Sequence, residues 1–312
     1  MLGSVDADEI QKDGAKASAV GVAPNWVISV PVWGKRCTDA FIGAVLPAIK
    51  AALGERQPTF VVHTDQPSVM VSALARFPHE IKRVPLGRSA HQSFGSASRE
   101  ALALAPVNSY VAFINADMVP SCEVFAAAER RFEVGKRVIM MAATRTIGGI
   151  PPAGATARDL LTWTMEHKHP AVVECFWGTG RTTIPWAVYF KRGDDIVVHG
   201  FHLHPFAVVK SNPKVAFKGL TIDTDLIEQF RLEEIHLVTD ADEAAFAEMS
   251  PPERVFRLMS LPFSINNVVE WARLRTTSLQ RWMFSQPITV VGSGDAGQLP
   301  TCDTILKKLE VR

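Results

Sequence analysis

Tyr110-Val111-Ala112-Phe113-Ile114-Asn115-Ala116-Asp117-Met118-Val119-Pro120-Ser121 is the stretch on which the reading of this chain turns. Tyr110 to Ile114 is an apolar run of the kind a buried parallel strand uses. It breaks off in Asn115-Ala116-Asp117, two oxygen-bearing side chains two residues apart. At the C-terminal end of a buried strand they sit where open α/β sheets bind ligands. In extended backbone, positions i and i+2 face the same side, so Asn115 and Asp117 could share one divalent cation, or a cation and a sugar. Hard oxygen ligands suit Mg²⁺ or Mn²⁺, which bridge diphosphate oxygens. A buried carboxylate is costly without a partner, so Asp117 should meet a charge or donors. The plainer alternative is a strand running into a turn, because Asn, Asp and Pro are turn residues.

Working outward, the flanking sequence alternates between strand and helix patterns. Strands are predicted over 26–32, 59–63, 81–84 and 110–114, with helices over 38–53, 67–76 and 95–105 between them. Thr38 or Asp39 would cap the first helix and Gly54 would end it. This alternation with short connections predicts a doubly wound, mostly parallel α/β sheet with helices on both faces. Further on, the patterns predict a helix over 121–134, a strand over 138–142, a Gly- and Pro-rich loop over 144–156 and a helix over 157–168. Strand-like pieces follow at 171–176, 185–190 and 206–209, and a short helix at 226–230. From Pro251 the pattern turns helical. The implied organisation is a flexible leader at 1–24, a main domain at 25–250 divided near 135, and a helical C-terminal extension at 251–312.

Composition narrows the function classes. A formal net charge of +1 over 312 residues provides no basic field for nucleic acid. The four cysteines, Cys37, Cys122, Cys175 and Cys302, are scattered without a CxxC pair. That points to a reduced, cytoplasmic setting rather than a disulfide framework or zinc cage. The first 24 residues do not read as a signal peptide. No apolar run reaches the roughly 20 residues of a spanning helix. Neither GxxxxGK[ST] nor a GxGxxG after the first strand is present, so P-loop and nicotinamide readings are poor.

Several side chains suggest chemistry on their own. Arg88 and Arg99 flank the presumptive ligand side and could pair with phosphate. His202 and His204, in Val198-His199-Gly200-Phe201-His202-Leu203-His204-Pro205, lie two apart and would share a face if extended; imidazole is a good transition-metal ligand. His199 reads as structural, while His167 and His169 read as solvated or acceptor-facing. Asp223 and Asp225 share a face in Thr221-Ile222-Asp223-Thr224-Asp225, or one of them caps the helix that follows. Glu174, in an apolar run, could be a buried base or a strand-edge residue facing water. Trp177, beside two glycines, could stack on a sugar. Trp271, Arg273, Arg275, Arg281 and Trp282 could line a helical face lying on an anionic membrane, or a solvated one.

Residues 25–135 resemble the nucleotide-sugar domain of GT-A glycosyltransferases in order and spacing. Ser29-Val30-Pro31-Val32-Trp33-Gly34 matches the loop after the first strand, Asp65 the acidic end of the second, and Asn115-Ala116-Asp117 the Asp-x-Asp motif. Ser96-Ala97-Ser98-Arg99-Glu100-Ala101 matches the small-residue helix before that motif. The resemblance departs at Asn115, where the first Asp is usual. It implies a GT-A-like fold and a nucleotide-diphosphate sugar donor, UDP- or GDP-linked, contacted by Pro31, Trp33, Asp65, Arg88, Arg99, Asn115 and Asp117. It further implies Mn²⁺ or Mg²⁺ held by Asp117 with His202 or His204, and a base for the acceptor hydroxyl from Asp223, Asp225 or Glu174. The acceptor would be a glycan or lipid-linked, with the protein cytoplasmic or peripheral on the inner membrane face. Two rivals stand beside this reading. A sugar-1-phosphate nucleotidyltransferase needs a glycine-rich loop where this chain has Trp33-Gly34-Lys35-Arg36. A non-catalytic sugar- or nucleotide-binding protein is kept open by Asn115.

Overall fold

The seven residues Trp26–Val32 are buried at every position and form an interior strand, β1. The computed structural model describes residues 25–84, 90–182, 185–210, 222, 226–251, 261–292 and 299–310. From β1 the chain runs through α1 (Gly34–Ala40), a π turn (Phe41–Val45) and α2 (Leu46–Leu53) into β2 (Thr59–Thr64). It continues through α3 (Pro67–Ala73), β3 (His79–Arg83) and α4 (Ala90–Leu104) to β4 (Tyr110–Phe113). There follow β5 (Met118–Pro120), α5 (Val124–Glu133), β6 (Val138–Met141), β7 (Ala143–Thr146), α6 (Ala157–Glu166) and α7 (Pro170–Val173). Next come β8 (Arg181–Thr182), β9 (Ala187–Arg192), β10 (Asp195–Gly200), β11 (His204–Val209), β12 (Ile235–Leu237), β13 (Phe246–Met249) and β14 (Leu261–Pro262). Helices α8 (Ile265–Arg275) and α9 (Ser278–Phe284), strand β15 (Ile288–Val291) and helix α10 (Pro300–Lys308) complete the described chain.

Seven strands form the main sheet in the order β12-β6-β11-β4-β1-β2-β3. Every pairing is parallel except those of β11, which runs antiparallel to both β4 and β6. From β1 the chain steps outward to β2 and β3, then returns to place β4 on the other flank of β1. With right-handed crossovers, the reversal puts α4 on the face opposite α2 and α3. Indeed α4 packs on β1, β2 and β4, whereas α2 packs on α5. This is the doubly wound, mostly parallel sheet that the sequence predicts, and its strand order reverses between β1 and β4. At such a reversal the loops leaving adjacent strands diverge and open a crevice.

Two smaller sheets frame that crevice. In one, β13 lies between β5, antiparallel, and β7, parallel. In the other, β10 lies between β9 and β15. Val188, Phe190, Phe201, Val268, Phe284 and Ile305 belong to a second apolar cluster, which packs the C-terminal helices on this sheet. The C-terminal region thus contributes a strand, β15, as well as helices.

Local departures from expectation have local causes. The first helix starts at Gly34, directly behind β1, with Thr38 buried inside it instead of capping it. Pro47 has no N–H to give to Gly43, and the widened π turn over Phe41–Val45 falls where that bond is missing. Gly54, at φ +58°, ends α2 as expected. The stretch 171–176 is not a strand: Pro170 takes the first helical position of α7, and His169 Nδ1 accepts the Ala171 N–H at 3.1 Å. His169 is therefore a buried cap rather than a solvated side chain. His167 is stacked on Trp163, ring centroids 4.1 Å apart. The loop expected from residue 144 begins later, because Ala143–Thr146 pairs as β7. At 226–230 the expected helix is one 3₁₀ turn, Ile227–Gln229.

Candidate functional site

A cavity of about 420 Å³ opens at the point where the strand order reverses. Pro31 and Trp33, at the end of β1, line one side; Asn115 and Asp117, just past β4, line the next. His202, in the turn after β10, and His204, the first residue of β11, enter because β11 inserts antiparallel beside β4. Six residues singled out from the sequence therefore converge on one cavity.

The Asp117 carboxylate is 13% exposed and meets a cation, as a sheltered carboxylate should. Its partner is Arg36 of α1, with Nη2 3.1 Å from Oδ2. Arg36 Nη1 also donates to the Met249 carbonyl at 3.3 Å, and the Met249 N–H donates to the Asp117 carbonyl at 2.8 Å. The turn after β4 is thus stitched to β13. Asn115 Oδ1 is buried and meets no hydrogen-bond donor among the described residues, so it is an acceptor open to a ligand.

A second charged pair, found on no motif, stands on the adjoining strands β7 and β13. Arg145 of β7 and Glu248 of β13 are register partners, and Nε lies 3.1 Å from Oε1. The Arg145 guanidinium lies 4.5 Å from the centre of the Trp186 ring, a cation–π contact. Ser250 Oγ donates to Glu248 Oε1 at 3.1 Å. Arg145, Trp186 and Glu248 all line the cavity. Beneath them Cys175 also reaches it, but burial pushes its thiol up to about 12, so it is protonated and unreactive at neutral pH.

The histidines are tied into the protein. His204 Nε2 donates to the Phe113 carbonyl at 2.7 Å, which fixes its tautomer and anchors it to the end of β4. His202 Nδ1 lies 3.2 Å from the side-chain amide of the buried Gln280. His199 is structural, as read: buried, with Nδ1 on the Phe284 carbonyl at 2.7 Å, its pKa lowered by burial.

Other residues read as candidates lie elsewhere. Asp65 Oδ1 accepts the Gly34 N–H at 2.9 Å, so it braces the loop after β1 from the end of β2 and does not line the cavity. Arg99 bonds Ser96 Oγ at 3.3 Å within α4 and is also off the lining. Glu174 follows α7 as its C-cap; its neighbours Ala171, Val172 and Cys175 line the cavity and it does not. Arg88, Asp223 and Asp225 fall outside the described residues, although Ile222, adjacent to Asp223, is on the lining.

The Mn²⁺ or Mg²⁺ implied by the resemblance would need hard, anionic ligands brought together. Asp117 already faces a guanidinium, and His204 Nε2 faces a carbonyl. Among the described residues, no group of three His, Cys, Asp or Glu side chains is placed to hold a metal ion. The described side chains do not fit a resident divalent cation, and no step below runs through one.

The proposed membrane face changes as well. Trp271 packs 5.6 Å from Phe201 and Trp282 packs against the main core, so both tryptophans turn inward. Among the described residues no helix is long and apolar enough to cross a membrane.

Fold and cavity together define a doubly wound α/β protein with an open cavity at its topological switch point. No family model matches the chain, and no curated protein does. Among solved structures it is similar to residues 1–349 of S. aureus TarS in complex with UDP, at 12% identity and a TM-score of 0.42, covering 83% of this chain and 69% of that one. A longer S. aureus TarS structure matches at 11% identity and a TM-score of 0.41, and there the match spans 83% of this chain and 42% of that one. A 4-diphosphocytidyl-2C-methyl-D-erythritol synthase from Anaerococcus prevotii matches at 13% identity and a TM-score of 0.29, over 39% of this chain and 56% of that one. Likeness this loose carries no argument about chemistry.

Proposed function

We propose that the protein is a glycosyltransferase that binds a nucleotide-diphosphate sugar in this cavity and moves the sugar to a hydroxyl of a glycan or lipid-linked acceptor. The observation that carries the reading is the meeting of Asn115, Asp117 and Arg36 at the adjoining ends of β1 and β4. The cavity is within the size range of sites for small organic ligands. Pro31 and Trp33 give an apolar flank for the base. Arginine forks match phosphate oxygens, and a charge fixed where the leaving diphosphate develops its own lowers the barrier to its departure. In transfer, the acceptor oxygen bonds to the anomeric carbon as the bond from that carbon to the phosphate oxygen breaks, and the hydroxyl proton goes to a carboxylate. Besides Asp117, the described carboxylate on the cavity is Glu248, and we assign it to the acceptor side.

Asn115 also supports a second reading, a protein that binds the nucleotide sugar without turning it over. Thermal unfolding with UDP, GDP, CDP and dTDP, followed by assay of donor hydrolysis, separates the cases. A ligand specific for the folded state raises stability by about 2.7 kcal/mol at a hundredfold excess over its Kd. A shift with turnover supports the transferase, and a shift without turnover supports the binder. No shift with any nucleotide removes the donor site.

A further inference from the structure

We infer that Arg36 and Arg145 grip the donor diphosphate directly, so that a nucleoside diphosphate binds this cavity without a divalent cation. The inference rests on the donor-site reading above and deepens it. A cation beside Asp117 would lie against the Arg36 guanidinium, 3.1 Å from the same carboxylate, and like charges at that range repel. Asn115, where a second carboxylate would help hold a metal, is neutral. The described charges on the lining balance pairwise, Arg36 with Asp117 and Arg145 with Glu248, with no anionic surplus to attract a dication.

Arg145 is the better prepared of the two. Trp186 supports its plane and Glu248 holds its Nε, while no hydrogen bond ties its two terminal amino groups among the described residues. A guanidinium fixed along one edge and one face loses little freedom when its remaining donors take up two phosphate oxygens. Arg36, with its side chain 43% exposed, can offer a remaining N–H to the ligand while it stays on Asp117.

The test is calorimetric titration of UDP and GDP into the full chain, in EDTA and then in Mn²⁺ or Mg²⁺. The expected result is binding of one nucleotide in EDTA, with Kd changed less than about threefold by metal. Arg145→Met and Arg36→Met should each weaken binding in EDTA by about tenfold or more, the scale of a lost charged hydrogen bond. Arg145→Lys should not restore it, because an ammonium cannot reproduce the planar fork. Far-UV circular dichroism checks that each variant is folded, and Arg36→Met, at a partly exposed position, keeps the test available if Arg145 variants unfold. Binding that needs metal overturns this inference and leaves the donor site standing, as does binding in EDTA that neither substitution alters. Absence of nucleotide binding in every condition overturns both.

Discussion

Arg36 and Asp117 stand 81 positions apart in the chain and 3.1 Å apart in the structure. The contact ties the first turn of chain after β1 to the turn after β4 at the mouth of the cavity. Because its arginine end is 43% exposed, the pair should contribute less than about 1 kcal/mol to stability. Asp117→Ala should therefore melt close to the unaltered protein while sugar transfer falls by about a hundredfold or more. Melting curves and donor turnover on the same preparation test this, and an active variant would remove Asp117 from the mechanism.

Glu248→Gln preserves the shape of the side chain and keeps an oxygen facing Arg145. Nucleotide affinity should stay within a few-fold, while turnover should drop by about a hundredfold, the usual scale for a lost general base. Measuring Kd for the nucleotide and kcat for transfer separates the two effects. Equal losses in both would make Glu248 a support for Arg145 and not an acceptor-side base.

Lys210 is a buried amine at the C-terminal end of α4, bonded to the carbonyls of Leu102, Ala103 (3.2 Å) and Ala105. Burial lowers its pKa, while the helix end it faces favours a positive charge. Lys210→Met strands those carbonyls and should cost about 2–3 kcal/mol. Urea unfolding should show a lower midpoint with unchanged slope. An unchanged midpoint would mean that water satisfies the helix end equally well.

Glu243 gives the fold an acid limit. Burial alone would raise its pKa, but hydrogen bonds from His236 (2.9 Å) and Arg131 (2.6 Å) hold it down to about 2, against an ordinary value of 4.5. A carboxyl depressed on folding contributes stability that is present above its unfolded pKa and drains away as pH falls toward the folded one. Between pH 4.5 and about 2, the stability of the protein should fall more steeply than that of Glu243→Gln. Parallel pH–stability curves would show that the pair is too screened to matter.

Local pattern carries β1, β2, β4 and β6, short apolar runs buried at nearly every position, but not β12, whose three residues leave no such signal. It does not carry the sheet of β5, β7 and β13, where three or four residues each find their partners more than a hundred positions away. The same distinction runs through the site. Asn115 and Asp117 are readable because they end a recognisable strand. Arg145 and Glu248 become neighbours only through the register of β7 with β13, which no window of sequence contains. Asp65, Arg99 and Glu174 have the right chemistry for a site, but a backbone N–H, a neighbouring serine and a helix end account for where they sit.

The position of β11 has a consequence for how the protein is made. It separates β4 from β6, two strands that leave the ribosome well before it. Until residues 204–209 emerge, on the order of seconds later, those earlier strands cannot complete the sheet and each presents an unpaired edge. Such edges are templates for pairing with other chains. Slower growth at low temperature or extra chaperone should accordingly raise the soluble yield, by guarding an open slot until the strand that fills it has been synthesised.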